Sequence, residues 1–480
     1  MNKVAMKYDL VVGLEIHVQM NTSTKAFCAE RNAFGAAPNT QVGVVSLAYP
    51  GSLPVPNRQH VEKAVRLGLA LDSTIASAVY FDRKNYFYPD LPKGYQITQD
   101  AMPICVGGFL YLSNAGRRVR IHHVHMEEDA GKLIHDQDPL DTLIDLNRAG
   151  VPLLEIVTEP DLFSAEEVYE FITEIQQLVR YLNVSDGNME EGSLRCDCNV
   201  SVKPAGTTTL GQRCEIKNVN SRRYARQAVE AEYERQINLL EAGQSIKQQT
   251  LHFDKDRRLT IPMRSKEEAH DYRYFPDPDL PPFPVTKETI ERIRSSMPAL
   301  PWEIKETLQN KYQLTEEDAS HIAGHLHDAS YYLRIVDTLP PKHRRIWTDL
   351  FIHKIKPMDV EGDFPLSDEQ LTQLIAWIGM EKINRTVAFS TLWEAWLSTP
   401  EKALEDMSQQ LNIVQSDDET FLKDLIRDAF RQFPDKAAAL KGGKKNLIGL
   451  FMGEVMKTSG GKAHPQRTRQ LIENLIQELE

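Results

Sequence analysis

Cysteine is scarce in this chain: five in 480 residues, an odd number thinly spread. Such a set reads as reduced thiols in a cytosolic protein, not as a disulfide framework. Only Cys196 and Cys198 stand close together, and no second close pair completes a zinc quartet with them. Long apolar runs are also lacking. None approaches the ~20 residues of a membrane helix, so no membrane contact is expected. Asp9 and Gly13 interrupt the short apolar run near the N-terminus, and no small-residue cleavage site follows. A signal peptide is therefore not expected, and a cytoplasmic location is. An excess of positive charge is missing too: the net charge is −12. Any nucleic-acid contact must be local. There is no Gly-x-x-x-x-Gly-Lys-Ser/Thr loop and no Gly-x-Gly-x-x-Gly. If a nucleotide binds, metal ions and cationic side chains must hold it. Nor is there a glycine- and serine-rich nucleophile stretch or a Gly-x-Ser-x-Gly elbow, so glutamine hydrolysis is not expected here.

What is present is acid in apolar surroundings. Three short runs carry it: Val11 to Val18 with Glu15 and His17, His122 to Glu128 with Glu127 and Glu128, and Val151 to Val157 with Glu155. A lone carboxylate in such a place would neutralise or find a partner. Several acids with histidine beside them suggest a shared cation, and carboxylate-rich ligation suits Mg²⁺ with substrate phosphates. Strand alternation puts Glu15, His17 and Gln19 on one face and Leu14, Ile16 and Val18 on the other. Alone, that pattern fits a surface strand equally well. Glu155 shifts the balance, because neither face of its strand is polar. The Glu127-Glu128-Asp129 cluster would ordinarily be a solvated turn, but it follows a histidine-rich strand. His122, His123 and His125 could ligate zinc. Carboxylates outnumber imidazoles in the wider set, which argues for a hard ion.

The first part of the chain reads as strands and turns, with helices over His60 to Leu71, after the Ser164 cap with Glu167 three residues on, and over Ser221 to Ala242. The proline-rich segment Phe275 to Pro284 forces extended backbone. From Thr286 to about Thr399 the pattern is helix upon helix, and Ser416-Asp417-Asp418-Glu419 caps the start of a last unit. A strand from Ser193 to Lys203 carries Arg195 and Asp197 on its polar face, and the next carries Glu215 and Lys217. Together they could line a polar cleft that grips phosphates. Near the C-terminus Lys436, Lys441, Lys444, Lys445, Lys457, Lys462, Arg467 and Arg469 face only Glu454. A basic-sided helical bundle explains this blandly. Against an acidic chain, the reversal favours a nucleic-acid contact, with Gly442-Gly443 and Gly460-Gly461 allowing close approach to phosphate.

Five motifs carry a resemblance: Gly13 to Val18, Met126 to Lys132, Asp145 to Gly150, Glu190 to Asp197, and Tyr272 to Asp279. They resemble the B subunit of the aspartyl/glutamyl-tRNA amidotransferase family over essentially the whole chain. The resemblance implies an α+β fold: a glutamine-synthetase-like cradle with a mixed or antiparallel sheet over 1–293, an all-α domain over 294–405, and a small α-helical tail over 406–480 that contacts tRNA. It implies ATP-dependent conversion of Glu on tRNA(Gln), or Asp on tRNA(Asn), to the amide through a phosphorylated carboxylate. Ammonia would come from a partner amidase subunit. A small third subunit would complete the assembly, with the cognate aminoacyl-tRNA synthetase a further contact. Carried over by motif position, the Mg²⁺ ligands would be Glu15, His17, Glu128 and Glu155. Residues alone do not choose Glu128 over Glu127. Arg195, Asp197, Glu215 and Lys217 would serve the nucleotide end, Lys84 and Lys93 the ammonia entry, and Lys444, Lys445, Lys457 and Lys462 the tRNA. Many members carry a cysteine quartet for zinc; here only Cys28 remains, with Gly43 and Ser46 in the second pair's places, so no zinc is expected. The competing readings are a non-catalytic tRNA-binding scaffold with a structural metal, and a Mg²⁺-dependent phosphohydrolase acting without tRNA.

Overall fold

The computed structural model describes residues 7–263, 271–358, 364–416 and 418–478. The chain forms two compact units, Met1–Pro301 and Trp302–Glu480. In the first, ten strands build one mixed sheet. They are β1 (Tyr8–Gln19), β2 (Thr74–Ile75), β3 (Cys105–Val106), β4 (Phe109–Leu112), β5 (Arg117–Glu128), β6 (Pro152–Thr158), β7 (Leu194–Pro204), β8 (Cys214–Val219), β9 (Thr250–Asp254) and β10 (Leu259–Pro262). Their order is β10-β9-β8-β7-β1-β6-β5-β3-β2, with β4 also on β5. Every pairing is antiparallel except that of β8 with β9. The strand β1 lies between β6 and β7, and this centrality follows from its sequence: Leu14, Ile16 and Val18 on one side are fully buried. The partners supply Leu154 and Ile156 from β6 and Cys196 and Cys198 from β7, in register with them. All five cysteines are free thiols.

Three helices serve this sheet: α1 (Arg58–Ala70), α2 (Ala165–Tyr181) and α3 (Arg222–Glu241). Ser164 caps α2 by accepting from the Glu167 N–H, as its spacing predicts, while Glu167 turns back to the Phe163 N–H at 2.7 Å. The helices α2 and α3 pack on each other, α3 against β7 and α1 against β5. A side hairpin of Asp82–Asn85 and Tyr95–Thr98 is joined by Phe275–Pro276 from the proline-rich segment.

Among its described residues the regular elements of the second unit are helices, with isolated bridges joining Ile383 to Val414 and Ser416 to Ala463. Trp347 stacks on Tyr332 with ring centres 5.9 Å apart and meets Phe351 at 5.4 Å. Farther along, Leu422, Ile426, Phe430, Phe451, Val455 and Ile472 form a buried cluster of their own. Asp418 is the cap of the helix Glu419–Gln432; Asp417 lies outside the described residues. Among the described residues no helix is long and apolar enough to cross a membrane.

Candidate functional site

The polar face of β1 meets polar residues on both neighbours. Glu15 stands opposite Asp197 of β7, and His17 opposite Arg195 of β7 and Glu155 of β6. Glu155 in turn stands opposite His125 of β5. His17 Nε2 lies 3.3 Å from Glu155 Oε2, 3.6 Å from Glu15 Oε1 and 3.8 Å from Glu127 Oε1. His125 Nε2 lies 3.4 Å from Glu155 Oε2 and 3.6 Å from Glu127 Oε2. Backbone register alone fixes this cluster, since facing residues on antiparallel strands sit within about 5.5 Å.

Its charges compete. Burial disfavours a charged His17, yet its hydrogen bond to Glu155 and the fields of Glu127 and Glu155 raise it to about 9. Burial likewise opposes charge on Glu155, but His125, His17 and Lys84 hold it well below the usual carboxylate range. Glu15 is left with too little compensation: burial first, then the Glu155 charge, push it up to about 7. Thus Glu15 keeps a raised proton affinity although His17 and Lys217 lie near it.

Glu128 does not join the group. Its side chain pairs with Lys93 and accepts the Ile97 N–H at 3.0 Å, and both side chains of the pair are buried. Glu127 stands beside His17 and His125 instead. Strand alternation carries that choice: His123, His125 and Glu127 are successive same-face residues of β5. Lys84, in the side hairpin, lies over the Tyr272 ring at 4.8 Å. Tyr86 and Tyr274 flank Tyr272 with ring centres at 6.2 and 6.0 Å. Burial, with Asp100, Tyr272, Glu127 and Glu155 adding, pushes the Tyr274 phenol upward. Sequence reasoning misses these tyrosines, although Tyr272-x-Tyr274 is a same-face spacing.

Arg195 and Lys217 flank the group on the β7 side. Arg195 Nη2 donates to Asp129 Oδ2 at 2.8 Å, where Gln19 also donates at 2.7 Å. Lys217 lies 3.0 Å from Glu215 and 3.4 Å from Asp197. Asp197 also accepts the Asn218 N–H at 2.8 Å. Both cations are therefore oriented by acids.

The Cys28 loop is filled by other groups. Cys28 Sγ is 3.8 Å from Ser46 Oγ. A Cβ on Gly43 would fall 1.9 Å from the Glu30 carboxyl carbon. Burial first, then the hydrogen bond to Glu30, push the Cys28 thiol up to about 11. Fully buried Lys25 donates to the Ala149 carbonyl at 2.6 Å.

In the second unit, Lys444, Lys445 and Lys457 are exposed and Lys462 half-buried, and none has an ion pair among the described residues. Lys445 and Arg469 line a cavity of about 380 Å³ with Ile448, Met452 and Gly449. Gly443 and Gly461 adopt positive φ, 99° and 84°, a conformation their lack of Cβ permits.

The first unit carries an acid and imidazole centre on its sheet, and the second carries exposed lysines near its C-terminal end. The family described as the GatB/GatE catalytic domain matches residues 10–291, and the GatB domain family matches residues 331–476. The chain is 41% identical over 479 residues to the B subunit of the aspartyl/glutamyl-tRNA(Asn/Gln) amidotransferase of Thermodesulfovibrio yellowstonii, covering 98% of this chain and 100% of that one. It is 43% identical over 478 residues to the same subunit of Nitrosococcus oceani, again covering 98% and 100%. This chain belongs to the B-subunit family of the aspartyl/glutamyl-tRNA(Asn/Gln) amidotransferases.

Proposed function

We propose that this chain carries the ATP-dependent step of tRNA-dependent amidation. The side-chain carboxylate of Glu on tRNA(Gln), or of Asp on tRNA(Asn), is phosphorylated, and ammonia from a partner amidase subunit then displaces the phosphate. The observation that carries this reading is the acid group on the β1, β6 and β5 strands, ringed by Lys84, Arg195 and Lys217. Ligand atoms of Glu15, His17 and Glu155 lie within 4.8 Å of one another. Ligands 2.0–2.1 Å from an octahedral ion stand about 3 Å apart when adjacent and about 4 Å when opposite. The donor set therefore fits Mg²⁺, with Glu127 as the nearest further carboxylate. Bound there, Mg²⁺ would supply positive charge against the phosphates and the attacking substrate carboxylate.

The chain's own residues do the rest. Arg195, held by Asp129, and Lys217, held by Asp197 and Glu215, present oriented cations to phosphate oxygens. Lys84 brings a cation to the opposite rim beside Tyr272. Lys93 is bound to Glu128, and on this reading Lys84 and Lys93 line the ammonia entry. A glutamine-synthetase-like cradle over 1–293, a helical domain over 294–405 and a tail over 406–480 suit this division of labour. The separate buried cluster around Phe430 and Phe451 supports an independently packed tail. The free lysines near it support a tRNA contact made chiefly to phosphates. Glu30 and Gly43 in the Cys28 loop support a fold there without zinc. The assembly, with amidase and small subunits, is expected in the cytoplasm.

The test is reconstitution with those two subunits and assay of amide formation on each mischarged tRNA. ATP consumption that depends on mischarged tRNA supports the reading. Equal ATP hydrolysis without tRNA overturns it in favour of a phosphohydrolase, and no ATP consumption at all in favour of a scaffold.

A further inference from the structure

Strand β5 carries three histidines, and only His125 borders the proposed Mg²⁺ group. His123 and His125 are two residues apart and so share a face. Glu155 stands opposite His125 on β6. His123 Nε2 lies 3.1 Å from His125 Nδ1, and His125 Nε2 lies 3.4 Å from Glu155 Oε2. One ligand atom from each of the three falls within 4.8 Å of the other two. On its outer side, His123 Nδ1 is 2.6 Å from His122 Nδ1. That outer bond fixes the ring and turns Nε2 inward to His125, as the outer partners of metal-bound imidazoles orient their rings.

We propose that His123, His125 and Glu155 form a second cation site, one that takes an imidazole-preferring divalent transition ion, with Glu155 bridging it to the Mg²⁺ ligands Glu15 and His17. Two imidazoles and one carboxylate suit a transition ion, whereas carboxylate and water suit Mg²⁺. Ligand atoms at 2.0–2.1 Å from a tetrahedral ion stand about 3.4 Å apart. His125 turns Nδ1 to His123 and Nε2 to Glu155 and would give an ion one of the two; with one ligand atom taken from each residue, the three lie within 4.8 Å of one another, close enough for a small ion to draw together. Glu155 lies between the two groups: its Oε2 is 3.3 Å from His17 and 3.4 Å from His125. That one oxygen thus faces both groups, and a carboxylate so placed is what would link two neighbouring ions. The excess of carboxylates that favours a hard ion lies on the Glu15 side of the cluster, while His123 and His125 sit on the other.

The site stands or falls independently of the amidation chemistry, because its readout is metal occupancy. The full-length chain, stripped of metal, is titrated with Co²⁺ under a large excess of Mg²⁺, following visible absorption and bound cobalt by dialysis. About one equivalent that Mg²⁺ does not displace is expected. His123→Gln should weaken its binding at least tenfold with an unchanged circular dichroism spectrum. Proton NMR of the Co²⁺ form supplies a measurement that needs no variant: two exchangeable, strongly shifted imidazole N–H signals are expected. Absence of a Mg²⁺-resistant equivalent, wild-type affinity in His123→Gln, or no shifted imidazole signals would overturn the site and leave a hydrogen-bonded row of histidines. Amidation by the reconstituted enzyme is measured separately, so failure here does not bear on the proposed function.

Discussion

His17 and Glu155 face each other across the β1–β6 ladder at 3.3 Å, and each keeps the other charged. The contact leaves Glu15 as the acid of the group whose carboxyl is pushed up, to about 7, by burial and by the Glu155 charge. Glu15→Gln and Glu155→Gln each remove an anionic oxygen with little change of shape. Both are expected to abolish phosphate release driven by mischarged tRNA at saturating Mg²⁺. Near-wild-type release in either variant removes that residue from the site.

The same imbalance sets a pH dependence. The Glu15 carboxyl is raised from 4.5 to about 7 on folding. Between these values the folded chain binds more protons than the unfolded one, so metal-free stability falls as pH rises through the window. At pH 8 the penalty reaches at most about 3 kcal/mol, at 1.36 kcal/mol per unit. Denaturant titrations in a chelator should show Glu15→Gln more stable than wild type at pH 8 and nearly equal to it at pH 4. Equal stability at both pH values contradicts the assignment.

His60 predicts the opposite slope. It is fully buried beside the Leu153 carbonyl, and burial lowers it from 6.5 to about 4. The unfolded chain therefore binds the extra proton, and stability is lost as pH falls from 6.5 through 4. This group contributes about 3 kcal/mol of that loss. His60→Gln should remove its share of the acid slope in urea melts; an unchanged slope would show that His60 takes no part.

Lys93 and Glu128 form a buried pair, so removing one partner strands the other. Lys93→Met alone should destabilise the chain by about 3–5 kcal/mol, and the double variant with Glu128→Gln should recover most of it. Chemical denaturation of the three variants measures the coupling. Additive losses would mean that the two side chains do not depend on each other.

The tail lysines are tested by salt. Each cation on a phosphate adds about 0.7–0.9 to the slope of log affinity against log salt. Neutralising Lys444, Lys445, Lys457 and Lys462 together should lower that slope by up to about 3 and weaken cognate and non-cognate tRNA alike. Truncation before Ser416 should do at least as much. Binding with unchanged affinity and slope would return these residues to the solvated side of a bundle.

Much of the first unit is legible in sequence because it rests on local chemistry. Period-two alternation places Glu15 and His17 opposite Leu14 and Ile16, and Ser164 and Ser221 mark their helix starts. What the sequence leaves open is partnership between distant segments. Alternation puts Glu127 on the face of His123 and His125, but only the pairing of β5 with β6 sets that face against Glu155, and only the side hairpin gives Glu128 its Lys93. The tyrosines at 86, 272 and 274 meet only because Asn85 bonds back to Tyr272, nearly two hundred residues away. Periodicity carries no record of such closures.

The strand β1 gives one backbone two duties, a dry side and a ligand side. If it slips by one residue against β6 and β7, Leu14 and Ile16 exchange places with Glu15 and His17. A misthreaded molecule thus loses its core and its centre in the same event. The sheet acts as an inspector of its own assembly: a chain that has folded wrongly cannot present a half-working site, so defective copies are idle rather than error-prone.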